Sequence, residues 1–321
     1  MMASQQLPEA KDQHYIPKFY LKGFTDKEGV LWVCERFKPI RASKPRLEAH
    51  RPDYYSHTEK GDRDETAENK LEEIESRVAP IIRKLANPKY VLTPENAGHL
   101  VIFVGFMFAR VPSWRENLDR IAAQLTRETQ LQLAQDEQKF HQLCADVERS
   151  TGKSLTVEAE ELRQFILKGD YELVQKSMAF NLTAMFVTAL SAIRELETYG
   201  MQVFHAPEGR FFLTSDSPVY TIRPDAKGQA TLGMGFGWPD VEVYFPLNKR
   251  ACLRMRRGIQ AGGRIAEEGR VKEINDLIMA TASRYLYSSE GHRRIARLFD
   301  ERGCKVQPGK NAFMSKPQPL N

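Results

Sequence analysis

Glu195-Leu196-Glu197-Thr198-Tyr199-Gly200-Met201-Gln202-Val203-Phe204-His205 is where the periodicity of this chain changes. Before Gly200, the residues Val174, Met178, Leu182, Met185, Phe186, Ala189, Ile193 and Leu196 recur at the spacing of one helical face. They predict a helix over residues 171–199, with Asp170 as its cap. A methionine-bearing stripe at this spacing is packing surface, not a cofactor box. After Gly200, short runs at 201–205, 210–214, 218–222, 241–245 and 251–255 are divided by Gly and Pro turns. Helices followed by strands is the segregated order of an α+β fold, and the strand run predicts a meandering antiparallel sheet.

Outward from this point, residues 267–283 predict a helix, 284–288 a short strand and 290–301 a last helix that closes the sheet. The segment 228–237 carries Gly233, Gly235 and Gly237 and predicts a flexible loop. It is no phosphate cradle, because neither Lys-Ser/Thr nor a helix follows. From about residue 303 the chain is rich in proline and lysine and is expected to be a flexible tail.

Towards the N-terminus, Thr93-Pro94 pairs an N-cap residue with proline at the first helical position. That helix crosses the apolar stretch 100–109 and stops near Val111-Pro112. His99 and Arg110 bracket the apolar stretch, which falls well short of the roughly 20 residues a spanning helix needs. It is expected to be a core helix, and no membrane association is expected. Residues 64–85 place Leu71, Ile74, Val78, Ile81, Ile82 and Leu85 on one helical face, with Pro80 as a potential kink. Residues 113–149 are helical but polar, with Gln124, Gln130, Gln132, Gln135, Gln138 and Gln142. Their broken register predicts a protruding segment over 120–168, a surface for a protein partner or self-association. At the start, 29–37 and 53–57 are strand candidates around Pro39, Pro45 and Pro52. The whole reads as one integrated α+β domain over 1–302: a small N-terminal β unit, a central helical layer, and a C-terminal antiparallel sheet with closing helices.

The composition, 41% hydrophobic and 28% charged, is that of a soluble globular chain. Residues 1–13 are polar with no apolar core, so no secretory signal is visible and a cytoplasmic location is expected. Cys34, Cys144, Cys252 and Cys304 are too scattered for a zinc ribbon or a redox pair. The net charge of +5 is uneven, for residues 249–321 hold 16 Lys or Arg against 7 Asp or Glu. Within that third, Lys249-Arg250, Arg254 and Arg256-Arg257 make the strongest electrostatic footprint for a nucleic acid.

The candidate chemistry starts at His14, set before Pro17 and among Tyr15, Phe19, Tyr20 and Phe24. Imidazole is the side chain suited to proton transfer or metal binding near neutral pH. On the 64–85 helix, about 100° per residue places Glu68 and Glu75 at the border of the apolar face. Glu73 points away, and Glu65 and Glu72 lie beyond the border. Arg110 ends the most apolar helix, either facing its dipole or pairing with a carboxylate or phosphate. Asp216, in Thr214-Ser215-Asp216-Ser217-Pro218, is a ligand, a base or a turn former. Asn275 is a polar residue among Ile274, Leu277 and Ile278. His50 and His57 are seven apart in a proline-rich loop and make a weak joint metal site. Hydrolase, Walker, zincin and dinucleotide motifs are absent.

In order along the chain stand His14-x-x-Pro17-x-x-Tyr20-Leu21-x-x-Phe24, the Glu68/Glu75 helix, Arg110-x-Pro112, Thr214-Ser215-Asp216-x-Pro218, Phe245-Pro246-Leu247 and Asn275. This arrangement resembles an uncharacterised family of bacterial and fungal proteins, domain-of-unknown-function family number 4238, over roughly residues 13–290. The resemblance implies one integrated domain and brings no established activity. Gln13-His14-Tyr15-Ile16-Pro17 also looks like the Asp-His-Ile-x-Pro opening of HNH nucleases. Gln13 replaces the acidic neighbour, however, and no Asn/His pair stands in the following helix.

The expectation from these blocks is a nuclease-type hydrolase acting on nucleic acid, in a setting such as anti-phage defence or a toxin effector. His14 would act as base or ligand, Glu68, Glu75 and Asp216 as ligands or base, with Arg110, Asn275, Arg254 and Arg256 on the substrate. The cofactor stays open, a divalent metal being the one such carboxylates would take. The rival expectation is a non-catalytic binding or regulatory protein in which the same blocks form a buried polar network.

Overall fold

The structure is a computed structural model that describes residues 11–59, 62–173, 177–224 and 230–303. It resolves into two compact units, one formed by residues 1–113 with 178–321 and the other by residues 114–177.

In the larger unit, β1 (Asp12–His14) leads into α1 (Lys18–Lys22), a single turn opened by Pro17. Next come β2 (Leu31–Glu35), β3 (Arg41–Ser43), β4 (His50–Pro52), β5 (His57–Glu59) and β6 (Asp62–Asp64). α2 (Thr66–Lys84) carries Pro80 within it and buries Leu71, Val78, Ile81 and Ile82, the face expected from their spacing. α3 (Pro94–Ala109) starts as its sequence dictates, with Thr93 Oγ1 accepting the Asn96 N–H at 3.3 Å.

The smaller unit holds most of α4 (Pro112–Gln135), with α5 (Glu137–Thr151) and α6 (Ala159–Lys168). The polar stretch 113–149 is therefore two helices, because Asp136 stops one and caps the next by accepting the Lys139 N–H at 3.1 Å. Ala134, Phe140, Cys144 and Ile166 form its small core. Every residue from 124 to 129 is exposed.

The chain re-enters the larger unit with α7 (Met178–Leu196) and β7 (Gly200–His205). β8 (Thr214–Ser215), β9 (Tyr220–Pro224), β10 (Ala230–Leu232), β11 (Glu242–Asn248), β12 (Ala251–Arg256) and β13 (Gly262–Ile265) follow. α8 (Glu268–Thr281), β14 (Tyr285–Ser288) and α9 (Arg293–Gly303) close the described chain. Among the described residues, the order β10-β9-β11-β12-β7-β13 makes a six-stranded sheet, antiparallel except where β13 runs parallel to β7. A second sheet, β3-β2-β14-β8, sets Val33 of the N-terminal part opposite Tyr287 of the C-terminal part. β1 and β4 form a small sheet of their own. The fold is thus α+β, with a small N-terminal sheet, antiparallel-rich sheets and a closing C-terminal helix. Phe204, Phe212, Tyr220, Tyr244, Ile274, Ile278, Leu286 and Phe299 lie in one core cluster under α8 and α9.

Several expected elements shift for identifiable reasons. The helix expected from residue 171 begins at Met178. Asp170 follows Gly169, whose φ of +73° ends α6, so Asp170 stands past a helix end, not at a start. Val174 lies outside the described residues. Residues 210–213 form no strand, since Asn275 rather than a ladder partner holds the Leu213 N–H. Residues 53–56 are a turn in which Asp53 has φ +48°. Part of the 228–237 segment is β10, and β13 was not expected because Gly262-Gly263 has poor strand propensity. The tail beyond residue 303 lies outside the described residues.

Candidate functional site

Arg110 is a fully buried side chain at the end of α3, 2% exposed. Its Nε donates to the Tyr15 carbonyl at 2.8 Å and its Nη1 to Glu75 Oε1 at 2.9 Å, while Nη2 is buried with no hydrogen-bond partner. Glu75 sits on the border of the α2 apolar face, as its helical angle requires. Burial pushes its carboxyl up, the Arg110 charge only partly offsets this, and Glu72 and Glu68 add to it.

Glu68, one heptad earlier, meets Gln13 instead of His14. Gln13 is wholly buried. Its Nε2 donates to Ser56 Oγ at 2.5 Å and to Glu68 Oε2, and its Oε1 accepts the Tyr55 N–H at 2.6 Å. Both polar atoms of the amide serve the fold. Lys11 lies 3.7 Å from Glu68 at the outer side.

Strand alternation turns His14 to the opposite face of β1 from Gln13. There it is half-buried against His50, with ring centroids 5.2 Å apart. Burial first, then the Lys18 and His50 charges, bring its pKa down to about 4, against the opposing Arg46 backbone and Asp12. His14 is therefore a neutral imidazole at pH 7, and its Nε2 is buried without a hydrogen-bond partner.

Asp216 accepts three main-chain N–H groups: Ser283 at 2.9 Å on Oδ1, and Arg284 at 2.7 Å and Tyr285 at 3.0 Å on Oδ2. It joins the turn after β8 to the junction between α8 and β14. Burial pushes its carboxyl up to about 6, against the pull of those N–H groups. Asn275 has the same kind of role, for its Oδ1 takes the Leu213 N–H and its Nδ2 donates to the Phe211 carbonyl, both at 2.9 Å. Tyr20 Oη lies 2.8 Å from Thr214 Oγ1 and donates to the Pro246 carbonyl at 2.6 Å. Ser113 and Ser217 hydroxyls meet at 2.7 Å. Apart from Asn275, whose bonds go to Phe211 and Leu213, the motif blocks, far apart in sequence, are thus bonded to one another.

The basic strand is largely occupied from within. Arg254 grips Glu242 through Nε at 2.9 Å and Nη2 at 2.5 Å, and Arg256 Nη1 reaches the same carboxylate at 3.5 Å. Burial pushes Glu242 up, but the bonds from Arg254 and Tyr244 outweigh it and hold the carboxyl below its usual range. Lys249 donates to the Thr25 carbonyl, Arg250 to the Pro207 and Arg210 carbonyls, and Arg257 to Glu195 and the Trp238 carbonyl. Half-exposed Arg256 keeps part of its guanidinium towards solvent.

The structure brings Glu75 and Arg110 together, and joins them through Tyr15 to the His14 block. It separates Glu68, His14, Asp216, Asn275 and the Arg254–Arg256 pair into distinct contacts. Among the described residues no group of three or more His, Cys, Asp or Glu side chains is gathered for a metal ion. No single helix among them is long and apolar enough to cross a membrane. Sequence reasoning missed Gln13, Tyr20 and Glu242 as working residues. A polar residue inside an otherwise aromatic block is the signal for Gln13. For Glu242 it is the hairpin register, which sets Tyr244 opposite Arg254 and brings Glu242 to the same edge.

No curated protein and no solved structure matches the chain. A family profile described as protein of unknown function (DUF4238) matches residues 12–292, most of the chain and every block whose bonds are described above. The chain belongs to that family.

Proposed function

We propose that this chain is a non-catalytic binding protein, in which the polar blocks hold the larger unit together and the helical unit meets a protein partner. One observation carries this reading: Asp216 and Asn275, two of the polar groups expected at the site, are spent on the fold. Asp216 accepts three main-chain N–H groups, and Asn275 uses both ends of its amide on main chain. A carboxylate bonded in that way is poorly placed to serve also as a base or a metal ligand.

The helical unit supports the second half of the reading. Leu125, Leu133, Leu143, Val147, Phe165 and Leu167 are exposed on it, around a core of only a few residues. Its residues 114–177 contain 9 Lys or Arg against 12 Asp or Glu, a net of −3. An acidic, apolar surface suits a protein partner better than a nucleic acid.

The test is a nuclease panel on DNA and RNA with Mg²⁺, Mn²⁺ or chelator, comparing wild type with His14→Ala. The expected result is no activity that the substitution removes. Turnover by wild type that disappears in His14→Ala would establish the hydrolase reading instead.

A further inference from the structure

We propose that the outer edge of β13 takes an extended segment of a protein partner as an added strand, one that alternates apolar and acidic side chains. β13 ends the six-stranded sheet and pairs there with β7 alone. Arg264 stands opposite Phe204 in that parallel register, and the Ala266 N–H continues it to the His205 carbonyl at 2.8 Å. Successive residues of a strand direct their N–H and C=O groups to opposite edges. Gly262, Arg264 and Ala266 therefore turn theirs to β7, and Gly263 and Ile265 turn theirs outward. Those two N–H and two C=O groups have no partner among the described residues. Every residue of β13 is exposed.

Natural sheet edges are blunted by proline, by a bulge or by a charge that stands over the edge. β13 has neither a proline nor a shift in its register. Its one charged side chain, Arg264, folds back over the sheet, with the guanidinium carbon 4.7 Å from the centre of the Phe204 ring. The edge is thus open to main-chain pairing. In that mode of recognition backbone bonds give affinity, and alternate side chains give specificity.

The side chains of β13 define what the segment carries. Ile265, 67% exposed, shares a face with Gly263, while Arg264 lies on the other face. Arg264 makes no ion pair among the described residues, so its five N–H donors suit an acidic side chain. An added strand with apolar residues beside Ile265 and acids beside Arg264 complements both faces. A second copy of the chain fits less well. The two-fold pairing that uses all the outward groups sets Gly263 opposite Ile265 and Arg264 opposite Arg264, and like charges directly opposite are destabilising. The edge belongs to the larger unit, so this inference stands independently of the helical-unit reading above.

The test uses two end-blocked, fluorescein-labelled peptides, one alternating Val and Glu and the other Val and Lys, with binding to the full chain read by anisotropy. Wild type is expected to bind the Val/Glu peptide about tenfold more tightly than the Val/Lys peptide. The Gly263 and Ile265 amides should exchange more slowly in that complex. Arg264→Glu should reverse the preference. Ile265→Pro removes an outward N–H and no bond to β7, so it should fold and bind the Val/Glu peptide at least about tenfold more weakly. Arg264→Glu, at an exposed position, decides the matter if Ile265→Pro does not fold. No binding to wild type, equal binding of the two peptides, or a preference unchanged in Arg264→Glu would overturn the proposal. A wild-type dimer that Ile265→Pro dissolves would assign the edge to a second copy and overturn it as well.

Discussion

Arg110 reaches Glu75 through a single hydrogen bond of 2.9 Å while its Nε holds the Tyr15 carbonyl, so one buried guanidinium ties α2, α3 and the chain after β1. The two partners are not equivalent. Arg110→Met removes the charge and leaves both a carboxylate and a buried carbonyl unpaired, an expected loss of about 3–5 kcal/mol. Glu75→Gln keeps an acceptor for Arg110 but leaves its buried charge without a counter-ion, an expected smaller loss of about 2–3 kcal/mol. Urea denaturation of the two variants checks the order, and equal losses would contradict it.

Asp216 gives the fold a pH dependence of definite sign. Its folded pKa, about 6, lies above the ordinary 3.8, so the folded chain binds the proton more tightly than the unfolded chain. The stabilisation is complete below about pH 4 and is lost as pH rises through 6, a span worth about 3 kcal/mol. Asp216→Asn lacks this titration. The difference in urea midpoint between wild type and Asp216→Asn should therefore change between pH 4 and 7, and a constant difference would count against the buried carboxyl.

Asn275 links α8 to the segment before β8 by two bonds to main chain. Asn275→Ala leaves the Leu213 N–H and the Phe211 carbonyl without it, an expected loss of about 1–3 kcal/mol. Hydrogen exchange at the Leu213 amide should accelerate in the same variant. Unchanged protection there would show that the side chain is not what holds the amide.

Gly105 of α3 packs directly against α7. An added Cβ would come within 2.6 Å of Ile193 Cγ1 and 3.1 Å of the Ala189 carbonyl. Alanine gains helix propensity of about 1 kcal/mol, but overpacking costs about 1–3 kcal/mol. Gly105→Ala should be destabilised in thermal melts, and Ile193→Ala, which removes Cγ1, should cost less in that background than in wild type. A stabilised Gly105→Ala would place the helices further apart than described.

Where local chemistry decides an element, the sequence was sufficient. Thr93-Pro94 opens α3, the inward faces of α2 and α7 follow their apolar spacing, and the runs at β7, β12 and β14 stand within a residue or two of expectation. Heptad geometry also separated Glu68 and Glu75 from Glu73. What it could not supply is pairing between distant segments. Nothing near Val33 indicates that its neighbour is Tyr287, and nothing near Gly262 announces a parallel edge strand. The site was partly legible for the same reason. The polar residues of the blocks were identifiable, but whether Asp216 faces a ligand or three N–H groups depends on a loop nearly seventy residues away.

The central claim is that the motif blocks are bonds between parts of one fold, and Tyr20 with Thr214 tests it most directly. Their hydroxyls lie 2.8 Å apart in a buried setting, joining the first block to the fourth. A double-mutant cycle with Tyr20→Phe and Thr214→Val, read by urea denaturation, should return a coupling energy of about 1 kcal/mol or more. Strictly additive losses, with no coupling between the two positions, would contradict it.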